Sequence, residues 1–278
     1  VGLEFGQMFR RFGSRVTIVQ HADQLLGRED EDVADAVAEI LEEDGVAVRL
    51  STEATRAEKQ ADGGVRLTVE QNGQTHPLDG SHLLVATGRR PNTDDLNLDA
   101  ADVETGESGH VQVNDRLETS AEGIYAIGDV KGGPAFTHIS YDDYLILHDN
   151  FLHGKRRTTQ GRLVPYTVFI DPQLGRVGLT EKQADEESRS YEVAKLPMEH
   201  VARAIETDET RGFMKALVDP DTKQILGVSI LGKEGGEVMS ILQVAIMGEL
   251  PYTALRDGAF AHPTLAESLN NLFSTLDE

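Results

Sequence analysis

The sequence contains no cysteine and no tryptophan, and aromatic residues make up only 5% of its 278 positions. Without cysteine the chain itself cannot supply a disulfide scaffold, a thiolate zinc site or a thiol nucleophile. No run approaches 18 consecutive apolar residues, so no segment reads as a membrane-spanning helix and no membrane partner is expected. The first residues lack the basic-then-apolar pattern of a signal peptide, which makes the cytoplasm the expected location. Basic residues are scarce: 26 Lys and Arg, only 8 of them Lys, face 48 Asp and Glu, for a net charge of −22. A surface this acidic repels nucleic acid and anionic lipid. Excess carboxylates with few lysines fit the protein of a halophile; a merely soluble acidic protein is the plainer alternative. The length suits about two domains with a sizeable core.

The opening also lacks something. Residue 1 is Val rather than Met, and residues 1–12 read as a helix with Phe5, Met8, Phe9 and Phe12 on one face. Gly13-Ser14 ends it, and residues 15–20 form a β-branched strand. A helix followed by a strand is the second half of a βαβ unit whose first strand is missing. The expectation is that the chain is the C-terminal part of a longer protein.

Residues 28–44 follow as an amphipathic helix, with Glu29, Asp30, Glu31 and Asp32 crowding its positive start and Gly45 at its end. Residues 46–50 read as a strand, and Asn72-Gly73 after residues 65–70 signals a hairpin. Residues 83–88 and 123–129 read as short buried strands ending in Gly and Gly-Asp, and residues 138–153 as a helix. Beyond the basic stretch 154–161 the texture changes. Strands at 166–170 and 176–179 lead into the capping box Thr180-Glu181-Lys182-Gln183. Residues 212–218 and 224–231 flank Asp219-Pro220-Asp221 as a long hairpin, and residues 237–247 form a helix. The fold class is α/β: a partial dinucleotide-binding, Rossmann-like domain followed by a C-terminal α+β domain.

Four patterns carry chemistry. Gly2-x-Glu4 heads a helix that precedes a strand, the place of the last Gly in a dinucleotide fingerprint, where helix and strand pack closely. Ala86-Thr87-Gly88-Arg89-Arg90-Pro91-Asn92 ends one strand, and Gly123-Ile124-Tyr125-Ala126-Ile127-Gly128-Asp129 ends another. Asp129 there is placed either to accept a sugar-like hydroxyl proton or to cap the next element. Near the C-terminus stands His262-Pro263-Thr264-Leu265-Ala266-Glu267. A His held by a carboxylate has its tautomer fixed and shuttles protons near neutral pH; a surface His beside a helix-start Glu is the alternative. Pro makes a cis bond at His262-Pro263 accessible. The other eight histidines show no tight ligand spacing, so no metal site is expected.

In this order the patterns resemble the flavoprotein pyridine nucleotide-disulfide oxidoreductases: dihydrolipoyl dehydrogenase, glutathione reductase and mercuric reductase. The likeness extends over almost the whole chain. It implies FAD and NAD(P)H as cofactors, with Gly2, Glu4 and Gln20 on the nicotinamide nucleotide and Gly88 at the hinge leaving that domain. It places Gly128 and Asp129 at the flavin's ribityl chain, and Phe136 and Thr137 near the isoalloxazine. It implies His262, oriented by Glu267, as acid–base for a thiol pair on the partner subunit, hence a homodimer and a small disulfide or metal-ion substrate. The implied domains are NAD(P)-binding over 1–92, part of the FAD domain over 93–160 and an interface domain over 161–278. The residues around Phe136-Thr137, Asp142-Asp143-Tyr144 and Val164-Pro165-Tyr166 look most like the mercuric-reductase-like branch, which includes the reactive-chlorine-resistance flavoprotein. The tail after Phe273 has no cysteine pair, a departure from mercuric reductase. Gln20-His21 after the strand is neither acidic nor Arg, which leans toward NADPH. Dihydrolipoyl dehydrogenase, and a dimerisation fragment without flavin, are the alternatives.

Overall fold

The computed structural model describes residues 1–277. In chain order the elements are α1 (Gly2–Arg11), β1 (Thr17–Val19), α2 (Glu31–Glu43), β2 (Ala47–Arg49), β3 (Thr52–Lys59), β4 (Val65–Gln71), β5 (Gln74–Gly80) and α3 (Thr137–His153). There follow β6 (Tyr166–Val168), β7 (Gln173–Gly178), α4 (Glu181–Glu186), β8 (Glu192–Pro197), α5 (Ala202–Glu206) and β9 (Phe213–Val218). The last four are β10 (Ile225–Gly232), α6 (Gly235–Met247), α7 (Tyr252–Arg256) and α8 (Ser268–Ser274). The chain divides into two compact units, one of residues 1–86 with 165–278 and one of residues 87–164.

In the first unit β1 and β2 pair in parallel, Ile18 opposite Val48, as a βαβ half requires. β3, β4 and β5 form an antiparallel meander. Asn72 and Gly73 both take positive φ, +53° and +72°, which the tight turn between β4 and β5 demands. The remaining strands make an antiparallel sheet ordered β6-β7-β10-β9-β8. α6 lies so close to it that a Cβ on Gly175 would stand 2.3 Å from the Gly235 carbonyl oxygen; only glycine fits there. One apolar core joins the two parts of this unit: Val33, Val37 and Leu41 of α2 pack with Leu174, Phe213 and Leu231 of the antiparallel sheet. The second unit has a small core of Val103, Val111 and Ala126.

Three expectations need correction. Residues 83–88 form no strand, and Leu83, Leu84 and Val85 are exposed. Residues 123–129 contribute only the bridge of Tyr125 to Glu118 before a 3-10 turn at Gly128–Lys131. Both segments are apolar enough for a buried strand, but a strand needs a continuous bonded neighbour: among the described residues no strand pairs with 83–88, and 124–126 pair only with the short stretch 117–119. The phenylalanine face of α1 is also turned outward: Phe5, Phe9 and Phe12 are exposed, while Gly6 and Gln7 are buried. Gln7 explains the choice. Its amide donates to Asp44 (2.7 Å) and to the Asp171 carbonyl (2.8 Å), and its oxygen accepts the Asp171 N–H (2.8 Å).

An ion cage fixes α2 on the sheet. Lys215 of β9 is 1% exposed, with Nζ 3.0 Å from Asp30 and 2.8 Å from Asp32, and it also contacts Glu181. Asp30, the residue before α2, makes no side-chain bond to its own helix. Its oxygens accept instead from the Glu181 (3.3 Å) and Lys182 (3.4 Å) amides at the start of α4. Thr180 and Gln183 close that helix start with the expected capping box. Beside the cage, Arg176 and Glu29 pair at 3.3 Å, both buried, and Tyr166 donates its hydroxyl to Glu29.

Burial pulls the Lys215 ammonium down, but bonds to Asp32, Glu181 and Asp30 outweigh it and hold the group above the ordinary lysine range. Burial raises Asp32, and bonds from Lys195 and Lys215 more than offset this, so Asp32 lies below its ordinary 3.8. The raised lysine contributes stability below its unfolded value of 10.5, lost as pH climbs past it. The depressed Asp32 contributes above 3.8, lost as pH falls through its folded value. Lys215→Met is expected to cost roughly 3–5 kcal/mol in urea unfolding, because it leaves the acids uncompensated. Lys195→Ala, at the exposed rim, should cost under about 1 kcal/mol. The Lys215→Met loss should shrink toward both pH extremes; a pH-independent loss would contradict the cage.

Candidate functional site

The first constellation lies in the loop between α7 and α8. His262-Pro263 is cis and lies shortly before α8. Thr264 Oγ1 donates to the Ala261 carbonyl (2.8 Å) and accepts the Glu267 N–H (3.1 Å). This local turn brings Glu267 back onto His262, whose Nδ1 lies 2.8 Å and 3.0 Å from the two carboxylate oxygens. With Nδ1–H donated to Glu267, the neutral ring carries its lone pair on Nε2. The imidazole is 67% exposed and Glu267 30%, so the ring is oriented from behind and open in front. The expected dyad is therefore assembled within one unit.

Asn270 holds the loop that leads to it. Its Nδ2 lies 2.7, 2.9 and 2.9 Å from the carbonyls of Leu255, Arg256 and Gly258, the last turn of α7 and its exit. Sequence reading passed over this residue; it is one of two adjacent asparagines, Asn270 and Asn271, set among the core residues Leu269, Leu272 and Phe273.

The second constellation, in the unit of residues 87–164, surrounds Asp129. Gly128 takes φ +70°, and a Cβ there would stand 2.9 Å from Ser140 Oγ. Asp129 follows at the head of a 3-10 turn, exposed, with Arg89 at 3.0 Å. The structure thus brings two of the expected motifs together, through Arg89 and Asp129. Gly88, φ +127°, has nothing within 4 Å of a Cβ position. Phe136 precedes α3 and stacks on His138 with ring centroids 5.3 Å apart; Thr137 opens the helix.

The group that holds this turn is Asp143, fully buried on α3. Its Oδ2 accepts the Gly128 N–H at 2.9 Å, and it pairs with Lys131 (3.3 Å) and Arg162 (2.6 Å). Asp143 belongs to a run singled out for resemblance alone; its burial was hidden because neighbouring Asp142 is on the accessible side, with Arg157. An exposed carboxylate beside a glycine that admits no side chain fits the sugar-like chain of a flavin. Arg89 must share or release it for that use.

The nucleotide residues expected at the N-terminus sit in the first unit. A Cβ on Gly2 would meet Ala86 at 3.4 Å, whereas the close contact of α1 with β1 falls at Gly6, 3.3 Å from Ile18 Cδ1. Glu4 accepts the Phe169 N–H at 2.9 Å. Gln20 leaves the end of β1 with its backbone N–H on the Arg49 carbonyl.

Asp143→Ala is expected to destabilise the second unit by about 3–5 kcal/mol, since it strands buried Lys131 and the Gly128 amide and leaves Arg162 with Asp142 alone. Asp129→Ala, an exposed change, should cost under about 1 kcal/mol. Hydrogen exchange at the Gly128 amide distinguishes the two: protection should fall in the first variant only.

Comparison with known proteins identifies the family. Residues 1–143 match the family model of pyridine nucleotide-disulphide oxidoreductases, and residues 164–273 match that family's dimerisation domain. The chain is 42% identical over 275 residues to the probable pyridine nucleotide-disulfide oxidoreductase RclA of Escherichia coli, covering 99% of this chain and 61% of that protein. It is 36% identical over 278 residues to a mercuric reductase of Lysinibacillus sphaericus, covering 100% of this chain and 51% of that protein. The solved Cu(II) complex of the HOCl-induced flavoprotein disulfide reductase RclA from Escherichia coli superposes with a TM-score of 0.91 at 42% identity, covering 98% of this chain and 62% of that one. The chain therefore spans between half and about three fifths of these relatives. Members of their family use FAD and NAD(P)H. The chain belongs to the pyridine nucleotide-disulfide oxidoreductase family.

Proposed function

We propose that this chain is the nicotinamide-nucleotide and dimer-interface portion of an FAD-dependent NAD(P)H oxidoreductase that reduces a disulfide or a soft metal ion. The observation that carries the reading is the His262–Glu267 pair, with Nδ1 held by both carboxylate oxygens and the ring open to solvent. The chain has no cysteine, so the thiol pair that this reading needs is supplied from outside it.

In this reading residues 1–92 take NAD(P)H, 93–160 contribute to the flavin site and 161–278 form a homodimer. Gly2 and Glu4 at the head of α1, and Gln20 at the end of β1, face the nucleotide. No carboxylate at Gln20 repels a ribose phosphate, which favours NADPH. A bound flavin would supply the hydride-accepting and electron-relaying chemistry. Asp129 would accept a hydrogen bond from a hydroxyl of the flavin's side chain, Gly128 would keep that approach free, and Gly88, Phe136 and Thr137 would shape its surroundings. His262 Nε2 takes the proton of a partner-subunit thiol and returns it to the leaving sulfur; Glu267 keeps Nδ1 protonated and steadies the charged ring. Asn270 acts through the loop as a positioning residue. The dimer works in the cytoplasm, where NAD(P)H is available. Likeness to mercuric reductase and to RclA, solved with Cu(II), supports a metal ion among the substrates.

In the flavin-loaded dimer, His262→Gln is expected to lower disulfide turnover by about 100-fold or more while flavin reduction by NADPH keeps its rate. Undiminished turnover would remove the dyad from the mechanism. Lipoamide, Cu(II) and Hg(II) compared as substrates test the branch: lipoamide outpacing both metals would assign the protein to dihydrolipoyl dehydrogenase instead. Asn270→Ala should lower kcat with little change in KM for NADPH; a change in KM alone would contradict a positioning role.

A further inference from the structure

At the C-terminal end of α3 three metal-ligating side chains converge. One ligand atom from each of His148, Asp149 and His153 lies within 4.8 Å of the other two. The spacing i, i+1, i+5 is not a helical stripe, which is why sequence reading set these histidines aside. His153 is the last residue of the helix, and Gly154 beyond it takes φ +61°. The His148 and His153 rings meet edge to face with centroids 5.2 Å apart, and the Tyr144 ring centroid lies 5.6 Å from that of His148.

The two oxygens of Asp149 divide their work. Oδ2 takes Lys155 (3.0 Å) and Arg157 (3.1 Å). Oδ1 faces His148 Nδ1 at 3.9 Å. The segment after the helix is clamped in this position: Asn150 donates to the Arg157 carbonyl (2.9 Å) and accepts the Arg157 N–H (2.8 Å). One carboxylate oxygen and two imidazoles are thus left on one side, at the negative end of a 17-residue helix.

We propose that His148, Asp149 and His153 bind a first-row divalent transition ion, Cu(II) foremost. Two imidazoles and one oxygen suit a tetragonal or tetrahedral ion with bonds of about 2.0 Å, and small side-chain rotations close the present spacing to ligand distance. Mg(II) and Ca(II) are poor candidates because they want a shell of oxygens. Lys155 and Arg157 oppose any cation, so an ion must bond imidazole strongly to stay, and Cu(II) stands highest in that order. Nothing in the reading of the dyad or the flavin turn depends on this site.

The test is equilibrium titration of the purified protein with Cu(II) near neutral pH, with electron paramagnetic resonance to count the bound nitrogens. The expected result is one tight ion per chain with two imidazole nitrogens. His148→Asn and His153→Asn should each weaken it by roughly tenfold or more and remove one nitrogen. His200→Asn, an exposed histidine in the other unit, serves as control and should leave binding unchanged. Circular dichroism melts confirm that each variant is folded. Wild-type affinity in either the His148 or the His153 variant, or an equal loss in the His200 variant, would overturn the assignment.

Discussion

Lys215 is the constraint on which the larger unit depends. A lone ammonium inside an antiparallel sheet is a costly arrangement, and here it is met by carboxylates from two different parts of the chain, Asp30 and Asp32 before and within α2, and Glu181 of α4. A buried pair of this kind adds little net stability over an apolar replacement, but breaking it strands charge. Only one placement of α2 delivers its acids to Lys215, so the cage sets where the parallel β1–β2 part docks on the sheet that carries the His262 loop. The apolar contacts of Val37 and Leu41 with Leu174 and Leu231 supply the adhesion, which has no direction of its own.

That arrangement shows what the sequence made legible. Glu29, Asp30, Glu31 and Asp32 signalled a helix start, and a helix starts there. The local argument from the helix dipole was sufficient to place α2. It said nothing of Lys215, more than 180 residues away, or of Asp30 capping α4 rather than its own helix. Features decided by a few neighbouring residues were read correctly: the Asn72-Gly73 turn, the Thr180–Gln183 capping box, the hairpin at Asp219-Pro220 and the return of Glu267 onto His262. Features that need a distant partner were not. Residues 83–88 and 123–129 have strand composition without a strand beside them. The phenylalanines of α1 mark one apolar face, but the three hydrogen bonds of Gln7 decide which side goes inward.

The two constellations share a division of labour that motifs alone conceal. The groups to which the proposed function gives a direct role, His262 and Asp129, are exposed and make few bonds. The groups that fix their position are more deeply set: Asp143 behind the Gly128 turn, and Asn270 spanning three carbonyls at the exit of α7. A motif records the exposed member because its chemistry dictates its type. The supporting member is dictated by shape and by which backbone groups need a partner, and several residue types at several positions satisfy that need. Asp143 was visible in the sequence as one of two adjacent acids, and only burial tells them apart.

Burial also sorts the large excess of acid into distinct roles. Glu267 is 30% exposed and brings both carboxylate oxygens to one ring nitrogen of His262. Asp143 is enclosed and already matched by Lys131 and Arg162, so it acts as a fixed anchor. Asp149 stands between these cases, with one oxygen committed to cations and the other turned toward imidazole. A net charge of −22 therefore says little about any single carboxylate. What each one does follows from how many donors reach it and from which side, and in the two candidate sites and at the end of α3 those donors are set by the helix or turn that carries the acid.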